Sequence, residues 1–244
     1  MDVATLEDLL ARGWIAAPGT SLRDEDRKKA RELVGILAEV ARAEARCPRS
    51  RQRVTLVDAA AGKGYVGVIA STISPRLHVH AIERDPRRIA LMSEAASRLG
   101  GRVEPLVGDV GDAAIWPAEV DVVVALHACG DASDRTIERA TEANARSILI
   151  APCCVATKLP AAERANARAE ALGLPRGEVR RGFIESLVAS ERMLELEARG
   201  WRTEIVTFAA PSVTPYRHLL RAERLREPGR MAQARDTLAR LRAA

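Results

Sequence analysis

The sequence predicts an α/β fold built on a seven-stranded, doubly wound sheet with an antiparallel last strand, a helical segment before it and a short helix after it. Three observations predict it. From Arg53 onward, short β-branched runs alternate with helical stretches, the pattern of successive strand-helix-strand units. The last two strand candidates are separated only by Ala209-Ala210-Pro211-Ser212-Val213-Thr214-Pro215, too short for a parallel crossover. The 244 residues, 47% hydrophobic and 29% charged, describe a globular chain able to bury one sizeable core rather than a disordered or membrane-embedded one.

Taken in order, Ala4 to Trp14 reads as a short helix that Pro18-Gly19 breaks. Ser21 or Asp24 then caps a longer helix running to about Cys47. Its core-facing stripe is Ala30, Leu33, Val34, Leu37, Val40 and Ala41, with Arg and Glu on the other face, and the run Arg23 to Lys29 is a solvated start. Strands are expected at Val54–Asp58, Leu77–Glu83, Val103–Val107, Val120–Leu126, Ser147–Ala151, Glu204–Phe208 and Tyr216–Arg221, with helical segments after the first five. The fifth connection is long, holding Pro160–Leu172 and a stretch near Val179–Arg199 that Gly200 ends. Arg230–Ala244 forms a basic helix docked through Met231, Ala234, Leu238 and Leu241. The expected division is a helical N-terminal extension (1–50), a main domain (51–226) and a C-terminal helix (227–244).

A net charge of +5 permits attraction to a polyanion, although lysine occurs only at Lys28, Lys29, Lys63 and Lys158, so codon bias toward arginine accounts for it as readily. Cys47, Cys129, Cys153 and Cys154 do not space like a secreted disulfide framework and are expected as thiols. The acidic start from Met1 to Asp8 lacks the basic and apolar regions of a signal peptide, and no apolar run could span a bilayer. A cytoplasmic protein with no membrane partner is therefore expected.

The sharpest motif is the strand and turn Val54-Thr55-Leu56-Val57-Asp58-Ala59-Ala60-Ala61-Gly62-Lys63-Gly64-Tyr65-Val66-Gly67. Gly62, Gly64 and Gly67 also satisfy G-x-G-x-x-G, with Glu83 at the next strand's end, so a nicotinamide or flavin dinucleotide competes for this turn. Charge separates the two cofactor classes. A dinucleotide presents an anionic pyrophosphate, whereas S-adenosylmethionine presents an ammonium, a sulfonium and one carboxylate. Asp58 would repel the first and attract the ammonium of the second, directly or through water. Glu83 is placed to accept from both ribose hydroxyls, and Asp109 from the adenine amino group. Singly, each acid also reads as a cap or turn residue, Asp109 most readily, Glu83 less and Asp58 least. Together, three acids after three successive strands share the crevice outside the strands' carboxyl ends. Ala60, Gly62, Gly64, Tyr65, Arg84, Val110 and His127 complete the expected cofactor site.

The fourth strand runs into His127-Ala128-Cys129-Gly130-Asp131 and the fifth into Pro152-Cys153-Cys154, ends that are neighbours in this topology. His127, Cys129, Asp131, Cys153 and Cys154 are the catalytic candidates. His127 can act as a general base, or a thiolate can attack a pyrimidine ring. Alternatively, small cysteines fill the pocket floor. No metal is expected, because His-x-Cys with an adjacent Cys-Cys lacks the usual C-x2-C chelate spacing. Cys47 is expected to be structural.

With these motifs assembled, the chain from about Val54 to Arg221 resembles the class I S-adenosylmethionine-dependent methyltransferases with their Rossmann-like sheet. Within them it resembles a methyltransferase-like family that includes the eukaryotic tRNA 2′-O-methyltransferases of the acceptor stem. The resemblance rests on the Asp58–Tyr65 loop, His127–Asp131, Pro152–Cys154 and Thr214-Pro215-Tyr216-Arg217. It implies cofactor contacts at Asp58, Gly62, Gly64, Glu83 and Asp109, with His127, Cys129, Cys153 and Cys154 on the acceptor side. It also implies RNA, a tRNA or rRNA, as substrate. The alternatives are a small-molecule acceptor or a noncatalytic module that binds RNA or protein.

Overall fold

A computed structural model of the chain describes residues 1–15, 21–214 and 217–243. The strands are β1 (Val54–Ala59), β2 (Leu77–Glu83), β3 (Val103–Val107), β4 (Val122–Leu126), β5 (Ser147–Ala151), β6 (Trp201–Thr207) and β7 (His218–Arg224). They form one sheet in the order β3-β2-β1-β4-β5-β7-β6. The pairs among β1 to β5 are all parallel, and β7 runs antiparallel to both β5 and β6. Because β1 lies between β2 and β4, the chain winds outward from it in both directions. The loops after β1 and β4 therefore part and leave a crevice at the sheet's carboxyl edge.

Both faces of the sheet are covered, so its central strands are apolar at successive positions rather than alternating. Leu56, Val79, Val122, Val124 and Leu149 point into one layer, and Val57, Ile82, Val123, Ala125 and Ile148 into the other. The first layer comprises α1 (Val3–Leu10), α2 (Asp24–Ala45), α3 (Tyr65–Ile73) and α4 (Pro86–Leu99), which contribute Leu6, Leu33, Ile36, Ile69 and Met92. The second contains α5 (Ala132–Glu142) and α7 (Glu178–Ala198), with Ile137 and Leu196 buried. Two further helices, α6 (Pro160–Ala171) and α8 (Pro228–Ala243), pack on α7, and Ala234 is the buried residue of the C-terminal helix. Local signals set the ends of α4: the Asp85 side chain accepts from the Arg87 N–H, Pro86 opens the first turn, and Gly100 closes the helix in the left-handed region. No helix among the described residues is long and apolar enough to cross a membrane.

Several expectations need correction. The third crossover holds a single 3-10 turn, Ala113–Ile115, instead of an α-helix, since Gly108, Gly111 and Pro117 punctuate it. The residue at the cap position of α2 is Arg23, not Ser21 or Asp24, and its N–H donates to the Asp26 carboxylate. Ala30, Leu33, Leu37 and Val40 of the expected stripe are buried, whereas Ala41 is exposed and Val34 half-buried, and Glu32 and Ile36 turn inward in their stead. The fourth strand starts at Val122; ahead of it the buried Asp121 donates its N–H to the Thr55 carbonyl and accepts from the Thr55 N–H with its side chain. The sixth and seventh strands begin at Trp201 and His218. The Pro18-Gly19 break, Pro215 and Tyr216 lie outside the described residues.

Within α2, a Cβ at Gly35 would overlap the Phe208 carbonyl oxygen, so the helix crosses the end of β6 at backbone contact. Gly35→Ala is expected to destabilise the fold by about 1–3 kcal/mol. Gly182→Ala in α7, where nothing lies within 4 Å, should stabilise it by about 0.5–1 kcal/mol. Denaturation midpoints measure both, and an unchanged Gly35→Ala midpoint would refute the close crossing.

Candidate active site

The glycine turn after β1 is shaped by two carboxylates. Asp58, 2% exposed at the end of β1, accepts from the Gly67 N–H at 2.8 Å, in the first turn of α3. Glu83, 5% exposed at the end of β2, accepts from the Gly62 N–H at 2.8 Å through one oxygen and from the Asp85 N–H at 3.0 Å through the other. The turn follows from its sequence: Ala60, Gly62 and Gly64 all have positive φ, and a Cβ at Gly64 would strike Met92. A clamp from the N-terminal helices was invisible to sequence reasoning. Trp14 donates its indole N–H to the Lys63 carbonyl at 2.9 Å and lies with its ring 4.7 Å from that of Tyr65.

Beside this turn a cavity of about 370 Å³ opens outside β2, β3 and β4. Of the expected cofactor residues, Ala60, Glu83, Arg84, Asp109, Val110 and His127 line it. Cys129 and Asp131 join them from the loop after β4. Asp58, Gly62, Gly64 and Tyr65 do not border it; they form the turn behind it. Asp109 accepts from the Gly111 N–H at 2.8 Å and from Arg135 at 3.0 Å, which together hold its carboxyl below the usual range. Arg135 also pairs with Asp131 at 2.7 Å, so the two exposed acids share one guanidinium.

His127 sits in the left-handed region at φ 62°, where its N–H donates to the Ala151 carbonyl at 2.8 Å and extends the β4–β5 ladder by one bond. Its ring turns toward α2, placing Nε2 2.8 Å from Glu32 Oε1. Glu32 also receives Lys29. Burial works against the Glu32 carboxylate, but the hydrogen bonds from His127 and Lys29 outweigh it and hold the group below its ordinary range. A carboxylate only accepts, so Nε2 carries a proton, and in the neutral imidazole Nδ1 is the acceptor. Nδ1 is buried and has no hydrogen-bond partner among the described residues. Sequence reasoning missed Glu32, which it placed on a polar helix face.

The expectation of four thiols fails at Cys129 and Cys153, which form a disulfide. The cause is register. Leu126 and Ala151 are paired at the ends of β4 and β5, so the segments leaving them stay adjacent and bring the two Cα atoms to 5.9 Å, within the bridging range of about 4.4–6.8 Å. Cys154 is exposed and free, with its sulfur 4.0 Å from that of Cys153. Cys47 is buried as expected, its thiol directed at the Ala43 carbonyl. A second recess of about 510 Å³ lies beyond Cys154, walled by Pro152, Val155, Ala189, Met193 and Ile205.

The sequence family described as a methyltransferase domain matches residues 28–159, more than half of the chain. No curated protein sequence matches it. Among solved structures, it is similar to magnesium protoporphyrin IX methyltransferase from Synechocystis PCC 6803 with bound SAH, at 13% identity, 91% of this chain, 100% of that chain and a TM-score of 0.54. The same protein with bound SAM gives 13% identity, 92% and 98% coverage and a TM-score of 0.52. At this identity the likeness is one of fold.

Burial raises the Asp58 carboxyl from its ordinary 3.8 to about 7, opposed by the Gly67 hydrogen bond and assisted by the charge of Glu83. The folded state therefore keeps a proton that the unfolded chain gives up above about pH 4. This contribution to stability is complete below that pH and lost as pH rises through 7. Asp58→Asn keeps an oxygen for Gly67 and removes the titration. Wild type is expected to lose up to roughly 4 kcal/mol relative to the variant between about pH 4 and 8. Parallel pH profiles of the unfolding free energy would contradict this.

Proposed function

The chain belongs to the family of methyltransferase domains and is an S-adenosylmethionine-dependent methyltransferase, and from that membership we propose that its methyl acceptor is an RNA. The observation that carries the reading is the meeting of Glu83, Asp109 and His127 around one cavity whose walls include the guanidinium groups of Arg84, Arg88 and Arg135. The residues fit the cofactor. The cavity is within the ~300–1,000 Å³ typical of small-molecule sites. Each Glu83 oxygen retains a lone pair beyond its backbone bond, which suits a pair of ribose hydroxyls, and Asp109 is placed for an adenine amino group. When bound, S-adenosylmethionine supplies an electrophilic methyl group on its sulfonium.

An RNA acceptor is supported by the net charge of +5, since each phosphate neutralised adds affinity independent of base sequence. The His127–Asp131 and Pro152–Cys154 blocks support it as well, through their resemblance to tRNA 2′-O-methyltransferases, and a cytoplasmic setting accompanies this reading. For a hydroxyl acceptor, His127 is the general base: its Nδ1 is buried and has no partner among the described residues, so the ring must turn toward the cavity for that atom to take the proton. Thiolate attack on a pyrimidine draws no support from Cys129 or Cys153, whose sulfurs are joined. The apolar recess beside Cys154 favours a second reading, a small apolar acceptor.

Glu83→Ala is expected to weaken S-adenosylmethionine binding by about 1–3 kcal/mol, roughly 5- to 150-fold, in calorimetry. Unaltered affinity would remove Glu83 from the site. Incubation with methyl-labelled cofactor and either total RNA or a metabolite extract should label the RNA, and His127→Ala should slow that transfer by about 10²–10⁴-fold. Label confined to metabolites would replace the RNA reading with the second one, and wild-type transfer by His127→Ala would end the general-base role.

A further inference from the structure

We propose that Cys129, Cys153 and Cys154 form a zinc site that exchanges with the Cys129–Cys153 disulfide. The inference goes beyond the methyl-transfer reading and does not depend on the acceptor. Its first observation is convergence: the three sulfurs lie within 4.8 Å of one another, although Cys129 is 24 residues from Cys153. The parallel register of β4 and β5 fixes this arrangement, so the cluster belongs to the fold rather than to one flexible loop.

The second observation concerns the adjacent pair. The chain bends at Cys153, just beyond the end of β5, and the sulfurs of Cys153 and Cys154 stand 4.0 Å apart. Thiolates about 2.3 Å from a tetrahedral zinc are separated by roughly 3.8 Å. The unbridged pair is thus already spaced as two vertices of such a site. The bonded pair needs only to part by side-chain rotation once its bond is broken. Among the described residues no His, Asp or Glu donor joins the three sulfurs within that distance, which leaves the fourth position to water. Thiolate donors in this geometry favour zinc over the hard cations magnesium and calcium.

The exchange balances with a dithiol as reductant. The Cys129–Cys153 bond breaks, and two electrons and two protons pass to those sulfurs while the dithiol closes to its own disulfide. Zinc then binds three thiolates and releases three protons. In the reverse direction oxidised glutathione takes the two electrons, becomes two reduced glutathiones, and the protein disulfide expels the metal. One pair of loops beside the cofactor cavity is therefore closed either by a covalent bond or by a metal.

The test uses the full chain, reduced with a phosphine, stripped with a chelator, and titrated with zinc against a chromophoric competitor. One equivalent should bind, and Cys154→Ser, which leaves the disulfide-forming pair intact and alters an exposed position, should weaken binding at least 10-fold. Cobalt in place of zinc should give a thiolate charge-transfer band that shrinks in each of the three Cys→Ser variants. Oxidised glutathione should release the metal and restore two titratable thiols in the unfolded protein. Failure of the reduced wild type to bind zinc, or binding that Cys154→Ser leaves unchanged, would overturn the three-thiolate site. Metal retained after the disulfide re-forms would overturn the exchange.

Discussion

Two backbone amides of the glycine turn, those of Gly62 and Gly67, are each committed to a carboxylate, and the chemistry of the crevice depends on that commitment. In a phosphate-binding turn such amides face the ligand and complement its charge. Here Glu83 and Asp58 occupy them from two sides, so a pyrophosphate at the same place would find neither amide free to donate. Asp58, buried and with its carboxyl raised to about 7, does not border the cavity, so the repulsion expected of it falls to Glu83. Asp58 acts from beneath, buried against α3, and Glu83 acts at the cavity wall with lone pairs to spare. A carboxyl held near 7 by burial is tolerated because protonation relieves it, which no fixed anion in the same position could do.

The N-terminal helices are part of this site. Trp14 fixes the Lys63 carbonyl within the glycine turn, and Glu32 fixes the His127 ring, so α2 and the segment before it tie the glycine turn to the loop after β4. The family match beginning at residue 28 takes in Glu32, whereas a boundary at residue 51 drawn from composition separates Glu32 from His127. Composition registers a helical preface. It does not register a hydrogen bond across 95 positions of chain.

Strands were legible wherever β-branched residues ran together, as in Val54–Val57 and Val122–Val124, and the short link before β7 gave its direction. The acids after β2 and β3 and the histidine after β4 were legible as a cavity because parallel strands place their carboxyl ends on one edge. What escaped depended on phase and register. The buried residues Ala30, Leu33, Leu37 and Val40 are as periodic with Val34 and Ala41 as with Glu32 and Ile36, and only contact with the sheet and His127 selects between them. The Cys129–Cys153 bridge likewise needs the pairing of Leu126 with Ala151, which spacing along the sequence does not encode.

The loop after β4 carries the most constraint for its length. His127 occupies a left-handed conformation that costs a non-glycine residue about 1–2 kcal/mol, and three attachments offset it: its own N–H on Ala151, its ring on Glu32, and Cys129 two residues later on Cys153. That turn sends successive side chains to different places. His127 goes to the helical layer above the sheet, Cys129 to the end of β5, and Asp131 to Arg135 at the cavity mouth. A glycine at position 127 would adopt the same backbone without strain but supply no acceptor atom beside the cofactor cavity. The strain is therefore tied to the imidazole, and the closure at Cys129 helps keep that imidazole between Glu32 and the cavity.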